Sequence, residues 1–481
     1  MVFSIVFPFI CAFLCLALRK LSSRKIKSAI VIAMQAVVTA SGIAAVLSDT
    51  VSTDKFIIAD GISIGFQSDM TAKLFCAITV VAWLLVSVYA SVYMKHEKNE
   101  EAFYLFMFLS EAAMLGAAFA DGLMTMYFFY ELVTLFSMPL VLHSRTEQSV
   151  AAAKKYLFYS VAGAFCALFG IFVLSQNAAT LDFAAGAVIE NASPLVLTAV
   201  FVMCLGFGAK AGLFPLHGWL PTAHPVAPAP ASALLSGVIA KAGVLAIIRT
   251  VYFVAGAETV RGTWVQTALL ILSLLTVVMG SAMAHREKIF KKRLAFSTVS
   301  QISYVLTGLF LFSPSGAEGA VWQIIFHAAV KVGLFLCAGA VIYLYGYTTV
   351  DELDGIGKKM PVTFVCFTVL ALSLTGIPPL GGFFSKWYLA TASLSSAEAG
   401  ILSWLAPVVL LLSALLTAGY LFPVSIKAFW SRSEKSAAEK TEKEPLLITI
   451  PLIILSAFAL LGGIFSEKIG EIISAVTASM F

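Results

Sequence analysis

The sequence predicts an all-α integral membrane protein of about 14 transmembrane helices, with two inverted five-helix repeats and two broken helices. Three observations carry this. Of the 481 residues, 60% are hydrophobic and only 12% charged, against about 25% charged in soluble proteins. Fourteen apolar runs are long enough to cross a bilayer, which takes roughly 20 residues each. Lysine and arginine then alternate between successive connections over the whole chain, as the rule that places positive loops on the inner side requires. The net charge of +5 sits in short loops and does not indicate nucleic-acid binding.

The runs are 2–18, 28–48, 71–93, 103–120, 122–143, 156–176, 195–222, 231–253, 264–284, 294–313, 318–346, 361–391, 402–427 and 446–464. The first could be taken for a signal peptide. However, its positive charges, Arg19, Lys20, Arg24, Lys25 and Lys27, follow the apolar run, whereas in a signal they precede it. It is read as a retained helix with its N-terminus outside. Odd-numbered connections hold 22 Lys/Arg, while even-numbered ones and the C-terminal tail hold 3, namely Lys55, Arg261 and Lys468. Both termini are therefore expected outside, in the inner membrane of a prokaryotic cell. Residues 431–444 read as a polar inner loop. The tail after Phe465 is mildly amphipathic; it either lies on the outer surface or plays no part. Lys154-Lys-Tyr-Leu-Phe-Tyr-Ser160 echoes Lys291-Lys-Arg-Leu-Ala-Phe-Ser297, but both enter from the same side and cannot be inverted copies.

Two runs are interrupted. The seventh carries Gly206, Gly208, Gly212 and Pro215 around Lys210, and the twelfth carries Gly376-Ile-Pro-Pro-Leu-Gly-Gly382 before Lys386. Proline removes a backbone donor, and in lipid such a break survives only where protein or a wet cavity satisfies the chain. Paired broken helices in two parts of one chain point to an inverted-repeat transporter. Seven and twelve differ by an odd number, so the two helices run in opposite directions, as an inverted five-helix repeat demands.

Ionisable residues share a depth in these runs. Glu131, Lys210 and Lys241 lie near the middle of theirs, His327 and Lys331 flank the middle of the eleventh, and Lys386 follows the second break. An ionisable group inside a membrane is costly and marks function by default. Gln323, His327 and Lys331, spaced by four, share a helical face. Four buried lysines cannot all stay charged beside one or two carboxylates, so some are expected to be neutral or poised to exchange a proton. Glu131 is the natural counter-ion for one of them. Neighbouring helices are roughly 8–10 Å apart, so waters must bridge the row. Ion pairs that merely fix helix register would explain Glu131 with one lysine and leave three over. Glu111, mid-run in the fourth stretch, is a further candidate, as an extra proton site, a second partner for a lysine or a lipid-facing residue. The seven cysteines form no CxxC pair, and no metal site or cofactor is expected.

Tyr130-Glu131-Leu, Gly208-Ala-Lys210, Pro215-Leu-His-Gly-Trp-Leu-Pro221, Ala223-His-Pro-Val-Ala-Pro228, Ser232-Ala-Leu-Leu-Ser-Gly-Val-Ile-Ala-Lys241, Lys292-Arg-Leu-Ala-Phe-Ser-Thr-Val-Ser-Gln301, His327-Ala-Ala-Val-Lys331 and Gly376-Ile-Pro-Pro-Leu-Gly-Gly-Phe-Phe-Ser-Lys386 strongly resemble the antiporter-like proton-translocating subunits of respiratory complex I, membrane-bound hydrogenases and Mrp sodium/proton antiporters. The resemblance covers roughly residues 70–430. It implies a division into an N-terminal three-helix segment (1–102), two inverted repeats (103–253 and 264–430), and a last helix with its tail (446–481). It further implies that Glu131 pairs with Lys210, that Lys241 is the central relay, that His327 and Lys331 link to the second half, and that Lys386 is the terminal lysine. Glu111 departs from the family pattern. Because the sequence ends soon after the fourteenth run, the long lateral helix of the largest complex I member is not expected.

The functional expectation is a proton-translocating subunit of a redox-driven complex, with no redox site of its own, partnered by other membrane subunits and by lipid. The alternative is an Mrp-type antiporter subunit that moves protons and sodium. A remote third reading, an intramembrane hydrolase or transferase, rests on His217 and His224, seven apart on a proline-rich loop with no nearby Cys or Asp ligand.

Overall fold

In a computed structural model, residues 1–21, 23–59, 62–178, 180–184, 189, 192–431 and 443–481 are described. Helix occupies each of the fourteen apolar stretches. In order, the helices are α1 (Val2–Ala17), α2 (Arg24–Leu47), α3 (Met70–Tyr93), α4 (Glu100–Ala118), α5 (Leu123–Val141), α6 (Glu147–Ser175), α7 (Pro194–Ala211), α8 (Leu220–Val226), α9 (Ala229–Leu234), α10 (Lys241–Thr250), α11 (Ala257–Val260), α12 (Trp264–Arg286), α13 (Phe290–Leu309), α14 (Pro314–Tyr345), α15 (Pro361–Thr375), α16 (Gly381–Ser395), α17 (Ile401–Trp430), α18 (Leu446–Ile464) and α19 (Ser466–Ala478). Starts are set by side-chain caps: Ser23, Asp69, Thr146, Ser193 and Ser313 each accept a bond from a first-turn N–H, which satisfies a donor the helix itself cannot.

Among the described residues, 12 helices are long and apolar enough to cross a membrane, and the chain is a multi-pass membrane protein. α13 falls short of that measure because it carries Lys291, Lys292 and Arg293 and a run of Ser, Thr and Gln. It is buried from Arg293 to Leu309, so protein rather than lipid surrounds its polar groups. The segment from α9 to Ala255 is likewise wholly buried. Apolar side chains face outward on the peripheral helices instead, as with Phe13, Phe158, Phe165, Trp404 and Leu411. The bundle therefore has a polar centre and an oily rim.

Both expected breaks are present. α7 ends at Ala211 on Gly212 (φ +83°) and α15 ends at Thr375 on Gly376 (φ +93°). This left-handed cap favours glycine, and the prolines that follow prevent the helix from resuming at once. In the seventh run the break comes after Lys210, so Lys210 stands in the last turn of an intact helix.

Three features depart from the expected pattern. The second connection contains a short antiparallel hairpin, β1 (Phe56–Ala59) and β2 (Ile62–Ile64), with Phe56 opposite Ile64, so the fold is not purely helical. The eighth run is not one α-helix; it has π turns at Leu235–Ile239 and Val251–Ala255. The tail forms α19, which buries Ile473 and Val476, and the Phe481 ring packs edge-on against Tyr252 at 5.2 Å. It folds back on the bundle because its apolar face has somewhere to go. The polar loop expected at 431–444 lies mostly outside the described residues. At its end, Glu444 accepts bonds from the Val362 and Thr363 N–H groups and the Thr363 hydroxyl, which caps α15.

Candidate functional site

Lys210 lies on the last turn of α7 and is fully buried. Its ammonium donates to the Tyr130 carbonyl at 2.8 Å and to Thr134 Oγ1 at 2.7 Å, and sits 3.5 Å from the centre of the Tyr130 ring. Tyr130 and Thr134 are four apart on α5, so one face of that helix presents all three groups. Glu131 makes no contact of this kind: its Oε1 is buried without a hydrogen-bond partner. The two charges interact, but the expected direct Glu131–Lys210 ion pair is not formed. The tyrosine carbonyl, its ring and the threonine hydroxyl occupy the ammonium instead.

Lys241 opens α10 directly after the first π turn. Its Nζ donates to the carbonyls of Gly237 at 2.5 Å and Ser236 at 3.4 Å. A π turn pairs residues five apart, as in the bond from Ala240 N to the Leu235 carbonyl, and thereby displaces the usual four-residue bonding. The lysine thus folds back onto two carbonyls of the π turn that precedes it. The same turn brings Ser236, five residues back, onto the side facing α13, where its hydroxyl meets Thr298 Oγ1 at 2.7 Å.

Thr298 bonds onward to the Leu294 carbonyl at 2.9 Å. Lys331, on α14, donates to that same carbonyl at 3.1 Å and to the Ser297 hydroxyl. One backbone oxygen thus joins the Ser236–Thr298 pair to Lys331, and the charges of Lys241 and Lys331 reach each other. His327, one turn from Lys331, is buried with both ring nitrogens unpartnered, and the charges of Lys241, Lys331 and Lys386 all reach it.

Beyond His327 lies a cavity of about 10 Å³, lined in part by Gln301, Gln323, His327, Ser373 and Lys386. That is roughly the room one water needs, and the site offers polar partners for it. Gln323 donates to Gln301 Oε1 at 2.9 Å and accepts from Ser385 at 2.6 Å. Lys386 donates to the Leu374 carbonyl and lies 5.4 Å from the Tyr304 ring centre. Leu374 is four residues before Pro378, whose missing N–H would have bonded that carbonyl in a continuous helix.

Among the described residues, none of the four lysines makes an ion pair with a carboxylate. The other candidates stand apart. Glu111 is fully buried, so it does not face lipid, and its partner is Gln35 at 2.7 Å rather than a lysine. His217 stacks on Phe214 at 5.8 Å, and His224 on Phe335 at 4.6 Å. His224 feels the charges of Lys291 and Lys331. Among the described residues no group of three or more His, Cys, Asp or Glu could hold a metal.

Sequence reasoning did not single out Thr134, Ser236, Ser297, Thr298 or Ser385. Thr134 could have been found by its four-residue spacing from Tyr130. Ser236 could not, because α-helical spacing sends it to the wrong face. It also missed the pair of Arg249 and Asp69. Arg249 is fully buried, donates to both Asp69 oxygens at 2.5 and 2.8 Å, and lies 4.7 Å from the ring centres of Phe183 and Phe253.

Residues 120–426 match the family described as NADH:quinone oxidoreductase/Mrp antiporter, transmembrane. The chain belongs to this family. The matched stretch contains Glu131, the four lysines and His327. Among members of the NADH:quinone oxidoreductase/Mrp antiporter family, NADH-quinone oxidoreductase subunit N of Desulforudis audaxviator is 34% identical over 402 residues, 80% of this chain and 79% of that protein. A Na(+)/H(+) antiporter subunit of Alkalihalophilus pseudofirmus is 30% identical over 408 residues, 83% of this chain and 81% of that one. The fold is shared with a chain of the membrane-bound sulfane sulfur reductase, an archaeal respiratory membrane complex, at TM-score 0.85 and 22% identity over 100% of this chain and 97% of that one.

Proposed function

We propose that this chain is a proton-translocating subunit of a multisubunit membrane complex, driven by redox chemistry on other subunits. The observation that carries the reading is the set of four intramembrane lysines, Lys210, Lys241 and Lys331 buried and Lys386 half-buried, that rest on carbonyls and hydroxyls and, among the described residues, make no ion pair with an acid. A lysine locked to its own carboxylate would hold its proton permanently; one supported by neutral oxygens can take and release it as neighbouring charge changes. The path runs from Glu131 and Lys210 through Lys241, across Ser236 and Thr298 to Lys331 and His327, and through bridging water to Lys386. The chain lies in a prokaryotic inner membrane with both termini outside. It has fourteen spans, and its two repeats, 103–253 and 264–430, are inverted copies.

The similarity to a Na(+)/H(+) antiporter component supports a second reading, in which a cation gradient rather than redox chemistry is coupled to proton movement. The test is purification of the intact complex followed by proton flux in vesicles. Co-purifying redox subunits and flux that requires an electron donor support the first reading. Sodium-dependent proton flux without a redox substrate supports the second. Full coupling in Lys210→Ala would refute both.

A further inference from the structure

Glu111 on α4 and Gln35 on α2 form an isolated polar pair in the N-terminal helices, and both are 0% exposed. Gln35 Nε2 donates to Glu111 Oε1 at 2.7 Å. The two remaining oxygens, Gln35 Oε1 and Glu111 Oε2, are buried and have no partner. Were the carboxyl ionised, both would be acceptors without a donor, and a full negative charge would be buried with no cation, which is costly. The groups around it do not help. The thiols of Cys11 and Cys76 are near enough to feel the charge, and the hydroxyl of Thr39, one turn from Gln35, already bonds to the Gln35 carbonyl. Among the described residues Glu111 makes no ion pair.

We infer that Glu111 is a proton-binding site separate from the lysine row: its carboxyl carries a proton on Oε2 and forms an acid–amide pair with Gln35. One hydrogen turns an unpartnered acceptor into a donor and leaves the buried group neutral. A carboxylic acid and a primary amide are both flat forks that can present one donor and one acceptor side by side, so they match reciprocally. A small hard cation would also cancel the charge, but it takes several oxygen ligands, more than the two unpartnered oxygens, Gln35 Oε1 and Glu111 Oε2, supply. The inference does not depend on proton flow through the lysines.

The test is infrared spectroscopy of the full complex in its native membrane, in H2O and D2O. The wild type should show one protonated-carboxyl C=O band that is lost in Glu111→Gln. In Gln35→Leu, where the acid remains but the amide is gone, the band should persist and shift. Identical carboxylic-acid bands in the wild type and Glu111→Gln would overturn the proposal, because Glu111 would then be ionised. So would loss of the wild-type band when sodium replaces potassium in the buffer, which would make the site a cation site. Neither result would bear on the lysine relay, since no pumping is read.

Discussion

Lys210 holds its ammonium 3.5 Å from the centre of the Tyr130 ring and donates to the carbonyl of the same residue at 2.8 Å. A single residue thus supplies two kinds of support for a buried positive charge, neither of which can accept its proton permanently. Glu131, next in sequence, is free to act by changing its own charge. Lys210→Ala is expected to reduce coupled proton movement to background while the complex still assembles. Glu131→Gln should do nearly the same. Tyr130→Leu removes the ring and keeps the carbonyl; with a desolvated cation–π contact worth about 2 kcal/mol, the rate should fall by roughly tenfold or more. Proton flux in vesicles, normalised to assembled complex, checks all three.

Ser236 and Thr298 offer a way to separate stability from transfer. Thr298→Val strands a buried hydroxyl and should destabilise the protein by about 1–3 kcal/mol. Adding Ser236→Ala removes both partners and should restore much of that stability. If the hydroxyls carry protons between the halves, flux should stay low in the double variant. Thermal unfolding and flux measured on the same preparations decide it; flux that recovers with stability would reduce the pair to packing.

Arg249 and Asp69 should behave as a buried pair. Arg249→Leu leaves the Asp69 carboxylate without its guanidinium and should cost about 3–5 kcal/mol. Combining it with Asp69→Asn should recover part of the loss, because no unpaired charge remains. Detergent stability assays of the single and double variants provide the comparison.

In the connection between α12 and α13, burial by itself would raise the Glu287 carboxyl. Lys292 at 2.7 Å and the N–H groups of Lys288 and Ile289 outweigh it and hold the group below its ordinary 4.5. A lowered acid contributes stability above its unfolded value and loses it as pH falls through the lower folded value. The melting-temperature gap between the wild type and Glu287→Gln should therefore be present at neutral pH and close as the pH falls from 4.5 through the lowered folded value. The gap itself should be small, under about 1 kcal/mol, as the pair is partly solvated.

Much of the architecture was legible because lipid imposes it. Run length and loop charge located helix at every apolar stretch, and Gly212, Pro215, Gly376 and Pro378 marked where two of them stop. α13 was legible as a run, although its polar residues keep it from qualifying as a lipid-facing span. What stayed hidden were the second partners. The π turn before Lys241 rotates Ser236 by an amount that ordinary helical spacing does not predict. The preference of Lys210 for Tyr130 and Thr134 over Glu131 depends on how α5 is rotated against α7, a packing outcome rather than a motif. Asp69 gave no signal, because its Arg249 partner lies 180 positions away.

At the second break, the amine of Lys386 takes the place of the N–H that Pro378 lacks, bonding the Leu374 oxygen. The end of α15 is consequently fastened by a group whose grip depends on its own charge. Adding or removing one hydrogen there alters how tightly two half-helices are stitched, so an electrical event at one atom becomes a mechanical one in the chain.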